Sequence, residues 1–153
     1  KEELAEEFAI KDAVIEIGDI CDFKIIPFQF RQLLQNLFTN SIKFSIKDKP
    51  LHIKIDCVTE LGAHFQIAKL LPEIKYHHIT ITDNGIGFEP IYREKIFEVF
   101  QRLHNKEQYM GTGIGLAIVK KIVENHHGII TASGESNKGA TFNIYIPADP
   151  TKI

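Results

Sequence analysis

Apolar residues at positions 33, 34, 37, 38 and 42 recur every three to four residues through 28–45. That is the period of an amphipathic helix with one buried stripe, and Pro27 stands where a helix can begin, because no backbone N–H is needed in its first turn. A second helical period runs over 114–126 through Ile114, Ile118 and Ile122, with Val119 and Val123 beside them. Between these helices the period falls to two. Leu51-His52-Ile53-Lys54-Ile55-Asp56-Cys57 and His78-Ile79-Thr80-Ile81-Thr82 alternate apolar with polar, the pattern of half-buried strands. Ala13–Ile17 and Phe23–Ile26, parted by Gly18-Asp19, predict two more strands. Ile129–Ser133 and Thr141–Ile146 predict a closing pair joined by a turn around Asn137-Lys138-Gly139, with Pro147 and Pro150 ending the fold.

The remaining stretches are less regular. Leu4 and Phe8 lie four apart among charges in residues 1–10, like the tail of a helix. A short helix begun by Pro90 is expected over Glu89–Phe100, with Ile96, Phe97 and Phe100 on one side. Residues 60–76 hold Gly62 and Pro72 with little periodicity and predict a surface excursion or irregular hairpin.

Composition narrows the functional classes. The chain has 153 residues, 44% of them hydrophobic, enough for one domain with its own core. Eighteen basic against 20 acidic residues give a net charge of −2, so no basic surplus calls for nucleic acid or an anionic membrane. No run approaches the ~18 apolar residues of a membrane span. Cys21 and Cys57 fit no C-x-x-C pattern, so neither a disulfide framework nor a zinc site is expected, and a reducing cytoplasm suits them. The chain begins at Lys1 and its only methionine is Met110, which suggests a domain excised from a longer protein, whose membrane attachment stays open. On that view residues 1–12 end an upstream helix or linker, 13–147 form the domain, and 148–153 are a tail.

Three stretches carry candidate chemistry. Gly111-Thr112-Gly113-Ile114-Gly115-Leu116 runs directly into the 114–126 helix. A glycine-rich loop opening a helix is an anion site, because free N–H groups and the positive dipole end face outward together. On the 28–45 helix, Asn36, Asn40 and Lys43 recur at i, i+4 and i+7 and so share a face. Amide oxygens with one ammonium suit a cation and phosphate oxygens, although a plain solvated face fits the same spacing. Asp83 ends a strand and is followed by Asn84-Gly85-Ile86-Gly87-Phe88. Its carboxylate either caps a turn or accepts from a ligand donor such as a purine amine. The polar segment 101–110 is a candidate lid from which Arg102 can reach phosphate, or simply a surface stretch.

Together these segments resemble the ATP-binding catalytic domain of two-component sensor histidine kinases, in the superfamily of gyrase, heat-shock chaperone, histidine kinase and MutL. Leu33–Ser45 looks like its N box, Asp83–Phe88 its first glycine box, Ile96–Arg102 its F box and Gly111–Leu116 its second glycine box, all in the family's order. The resemblance implies an α/β (α+β) two-layer sandwich of the Bergerat type, a mixed sheet backed by helices on one face, with ATP between helices and lid. It implies that Asn40 coordinates Mg²⁺, that Asn36 and Lys43 stand near the phosphates, and that Asp83 accepts from the adenine amine while Gly85 and Gly87 shape the base pocket. Gly111, Thr112, Gly113, Gly115 and Leu116 match the phosphate loop, and Arg102 matches a lid arginine near the terminal phosphate. Two departures stand out. His126-His127-Gly128 replaces the usual His-Gly-Gly, and none of the seven histidines is followed by the acidic residue usual at the phosphate acceptor.

The implied activity is transfer of the γ-phosphate from Mg-ATP to a histidine on a separate dimerisation domain, with a response regulator downstream, the fragment itself being monomeric. Phosphoryl transfer needs positioning and charge neutralisation more than covalent chemistry from the protein. Two rivals remain. One is an ATPase like the chaperone and gyrase relatives, which carry a water-orienting glutamate where this chain has Asn36, a residue that cannot act as a general base. The other is a nucleotide-binding or scaffold module that has lost catalysis, whose expected signature is loss of Asn40, Lys43, Asp83 or the glycines; all are present.

Overall fold

The two periodic helices and the alternating strands form as the pattern predicts, and their faces meet in one core. The computed structural model describes residues 13–18, 25–46, 49–88, 91, 94–97 and 115–149. Its elements are β1 (Val14–Ile17), α1 (Pro27–Lys43), β2 (His52–Leu61), α2 (Gly62–Phe65), β3 (Lys75–Asp83), a 3₁₀ turn at Lys95–Phe97, α3 (Gly115–Asn125), β4 (Ile129–Glu135) and β5 (Gly139–Pro147). The expected entry helix, Phe23 of the second strand, the lid with Arg102, and Gly111–Ile114 lie outside the described residues. Ile25 and Ile26 are not in a strand, and the stretch expected to be helical after Pro90 is represented by the 3₁₀ turn.

The strands form one mixed sheet in the order β1-β2-β3-β5-β4. Only β1 and β2 run parallel; the other three pairings are antiparallel. Alternation sends Ile53 and Cys57 of β2, Ile79 and Ile81 of β3, Phe142, Ile144 and Ile146 of β5, and Ile130 and Ala132 of β4 to the helix side. There they meet Phe30, Leu33 and Leu37 of α1 and Val119, Ile122 and Val123 of α3. Leu33, Val119 and Val123 are fully buried, and each such side chain contributes about 1.5–3 kcal/mol of burial. Asp83 is the next residue in the row that begins Ile79, Ile81, so the period of two carries its carboxylate to the helix side as well.

A histidine ties the two helices together. His126, just past α3 and 7% exposed, accepts the Ile26 N–H at Nε2 (2.9 Å) and faces the Ile122 carbonyl with Nδ1 (2.8 Å). An amide can only donate and a carbonyl only accept, so the imidazole is neutral with its proton on Nδ1. It thus serves as the cap for the first residue ahead of α1, where no side-chain cap exists. Its neighbour His127 has φ +60°. A side chain in the left-handed region costs about 1–2 kcal/mol. His127→Gly is therefore expected to raise stability by about 1 kcal/mol after the greater chain entropy of glycine is set against that relief. A denaturant midpoint that falls instead would mean the imidazole makes a compensating contact.

Two expectations are corrected. Residues 60–76 are more than a surface excursion: α2 and the turns after it fold over the sheet's other face. Leu70, Ile74 and Tyr76 pack there with Tyr145, flanked by Phe65, Ile67 and Ile129. His78 stacks on Tyr145 with centroids 4.4 Å apart, and Phe65 meets both rings edge-on. Cys57, 4% exposed, is disulfide-bonded rather than a thiol, so the cysteines no longer argue for a reducing compartment. Spacing along the chain gave no sign of this, because folding decides which cysteines approach. Among the described residues no helix is long and apolar enough to cross a membrane.

Candidate functional site

Asp83 lies at the centre of the candidate site. It is 9% exposed at the end of β3, paired in register with Ile53 on one side and Ala140 on the other. Oδ1 accepts the N–H of Gly85 (2.9 Å) and of Ala140 (3.3 Å), and Oδ2 accepts the hydroxyl of Ser41 (3.0 Å). An ionised carboxylate has about four acceptor positions, so the described residues fill three and leave one, on Oδ2. Burial pushes the carboxyl above its ordinary range, while the Gly85 N–H, the Ser41 hydroxyl and the Ala140 N–H each pull it back. Desolvation is the largest of these effects.

The first glycine box is pinned on both sides. Asn84 accepts the His52 N–H at Oδ1 (2.8 Å) and donates through Nδ2 to the Pro50 carbonyl (3.1 Å), fixing the start of β2 to the end of β3. Ile86 N–H donates to the carbonyl of Phe44, the residue that follows α1, at 2.8 Å. Gly87 adopts φ +64°, and a Cβ there would lie 2.2 Å from the Glu135 carbonyl oxygen and 2.5 Å from that of Gly139. The box is thus held between the end of α1 and the β4–β5 turn.

The expected α1 face is present. Asn36, Asn40 and Lys43 lie on one uninterrupted helix, Asn36 and Asn40 half-buried and Lys43 exposed in the last turn. Asn36 Nδ2 is buried and has no hydrogen-bond partner among the described residues. Leaving such a donor unmade costs about 1–3 kcal/mol, which a ligand acceptor would recover. Lys43 joins none of the ion pairs among the described residues. At the start of α3, no atom of the described residues lies within 4 Å of a Cβ built on Gly115, and Leu116 packs against the core. Gly111, Thr112, Gly113 and Arg102 lie outside the described residues.

The structure thus brings the N box and the first glycine box together through two bonds, Ser41 to Asp83 and Ile86 to Phe44. Sequence reasoning missed Ser41, although a signal existed: it is a polar residue in the helix's buried stripe with Phe30, Leu33 and Leu37, and it is only 3% exposed. The Ala140 N–H and the Phe44 carbonyl are backbone groups and leave no mark in residue identity.

Known proteins share this chain's sequence pattern and fold. The family profile described as "Histidine kinase-, DNA gyrase B-, and HSP90-like ATPase" matches residues 26–150. The chain is 40% identical over 135 residues to phytochrome-like protein Cph1 of Synechocystis sp., covering 88% of this chain and 16% of that protein. It is 35% identical over 126 residues to heme sensor protein HssS of Staphylococcus saprophyticus, covering 80% of this chain and 23% of that one. It therefore spans under a quarter of the length of these relatives. Among solved structures, the catalytic domain of histidine kinase ThkA superposes with a TM-score of 0.68 at 22% identity, covering 99% of this chain and 94% of that one. Full-length ShkA in complex with AMPPNP superposes with a TM-score of 0.70 at 22% identity, covering 97% of this chain and 29% of that one. The mixed five-stranded sheet with its two long helices is the fold of those catalytic domains. The chain belongs to the histidine kinase-, DNA gyrase B- and HSP90-like ATPase family, in the form carried by sensor histidine kinases.

Proposed function

We propose that this chain binds Mg-ATP and presents the γ-phosphate to a histidine on a separate dimerisation domain, as the catalytic part of a two-component signalling protein with a response regulator downstream. The observation that carries the reading is Asp83, a buried carboxylate with one acceptor position that no described residue fills. A ligand that donates a hydrogen bond fits that position, and the exocyclic amine of adenine is such a donor. On the neighbouring helix Asn36 offers a buried donor in need of an acceptor, and phosphate oxygens are acceptors.

Bound ATP supplies the γ-phosphoryl group, with Mg²⁺ neutralising charge on its phosphates. Among the described residues no three His, Cys, Asp or Glu side chains converge as metal ligands. Asn40 would hold the cation through its amide oxygen, a suitable hard ligand for an ion that keeps waters and takes most other ligands from phosphate. Lys43 supplies positive charge beside the same face. Arg102 and Gly111–Leu116 are the further residues proposed to contact the phosphates. Position 36 is an amide and cannot deprotonate water, which supports transfer to a supplied acceptor over hydrolysis.

Calorimetric titration with a non-hydrolysable ATP analogue tests this. Saturable binding that strengthens with Mg²⁺ is expected, and Asn40→Ala should erase the Mg²⁺-dependent part. Binding indifferent to Mg²⁺ in the wild type would remove Asn40 from the site, and no binding would overturn the nucleotide reading. With acceptor helices supplied in trans, acid-labile phosphate is expected on the acceptor and none on this chain.

A further inference from the structure

We infer that Ser41 is a positioning residue for the nucleotide base: its hydroxyl aims the Asp83 carboxylate so that the one unfilled acceptor position faces a ligand amine. The inference rests on the proposed nucleotide site and assigns a selectivity role to an N-box residue to which the family resemblance gave no role.

A serine inside a helix ordinarily turns its hydroxyl to a nearby carbonyl of its own helix or turn. Ser45 in this chain does that, donating to the Ile42 carbonyl at 2.7 Å. Ser41 instead spans 42 residues of sequence to reach Asp83 Oδ2 at 3.0 Å. It lies at 3% exposure in the apolar stripe of α1, where alanine would pack with less cost to helix formation. A buried hydroxyl there is costly unless bonded, and Asp83 is the partner it has.

The consequence is directional. Gly85 and Ala140 occupy Oδ1 through backbone N–H groups that cannot move away without shifting the strand or the glycine box. Rotation about the side-chain bond remains the carboxylate's freedom, and the Ser41 hydroxyl removes it by holding Oδ2. What is left on Oδ2 only accepts. A purine with a 6-amino group satisfies it, whereas a 6-oxo purine would set a carbonyl oxygen against a carboxylate oxygen. Ser41 therefore sharpens the choice of an amino-bearing base without touching the phosphates.

The test pairs a side-chain change with a ligand change. Calorimetry measures wild type, Ser41→Ala and Ser41→Cys with ATP and with purine riboside 5′-triphosphate, which lacks the 6-amino group. Wild type is expected to prefer ATP. Ser41→Ala should weaken ATP by roughly five- to tenfold, the scale of one hydrogen bond, and leave the amine-free analogue unchanged. Ser41→Cys fills the site with a weak donor and should lose discrimination in the same way, which keeps the test decisive if the alanine variant folds poorly. Equal weakening of both ligands would make Ser41 a packing residue and overturn the inference, as would an undiminished ATP preference in both variants. A wild type that binds both ligands alike would instead overturn the reading of Asp83 as the base acceptor, and the inference with it.

Discussion

Asp83→Asn will weaken ATP binding by about 100-fold or more and leave the fold at least as stable as the wild type at neutral pH. The two effects have one cause. In the proposed site the described residues leave an acceptor on Oδ2 unfilled, and the amide would present an N–H donor toward Ser41 and the ligand, so an incoming amine would meet another donor. The backbone contacts survive, because an amide oxygen can still accept from Gly85 and Ala140. Stability moves the other way because burial raises the carboxyl's pKa in the folded state. A group raised on folding contributes stability that is full below its unfolded pKa, about 4 for aspartate, and is lost as pH climbs through the folded value. Above that, the wild type carries a buried charge that the variant lacks. The melting temperature of Asp83→Asn minus that of wild type should therefore grow from about pH 4 toward neutrality. A difference that shrinks over this window would mean the three hydrogen bonds outweigh desolvation.

Much of this site could be read from residue order because its parts obey two periods. The α1 stripe at 33, 37 and 42 located the helix, and the same helix aligned Asn36, Asn40 and Lys43. The run Ile79, Ile81, Asp83 carried a carboxylate to the helix side without knowledge of any fold. What escaped was held by backbone or by contacts distant in sequence. Strand β2 continues to Leu61, past the expected end at Cys57, because Val58–Leu61 pair with Lys75–His78 through main-chain bonds that exposed side chains do not advertise. The cover over the sheet's second face depends on Leu70 and Ile74 meeting Tyr76 and Tyr145, a cluster scattered over 75 positions with no local period. Ser41 was visible as an anomaly in an apolar stripe, but its meaning required the partner 42 residues away.

Gly87→Ala will destabilise the domain by about 3–4 kcal/mol and weaken nucleotide binding with it. The backbone at φ +64° costs any L-residue about 1–2 kcal/mol. The added methyl then meets the Glu135 and Gly139 carbonyl oxygens at 2.2 and 2.5 Å, and overpacking of this kind adds about 1–3 kcal/mol. Neither obstacle is a side chain that can swing aside; both are main chain at the ends of β4 and β5. Relief therefore has to move the β4–β5 turn, and that turn leads into Ala140, whose N–H holds Asp83 Oδ1. A strain created in the glycine box is thus delivered to the carboxylate proposed to recognise the base. Gly115→Ala provides the contrast, because no atom of the described residues lies within 4 Å of a Cβ built at the start of α3. It should keep wild-type stability within about 0.5 kcal/mol. Equal denaturant midpoints for the two variants would mean the β4–β5 turn yields freely, and Asp83 would then owe its orientation to Gly85 and Ser41 rather than to the clamp across the sheet.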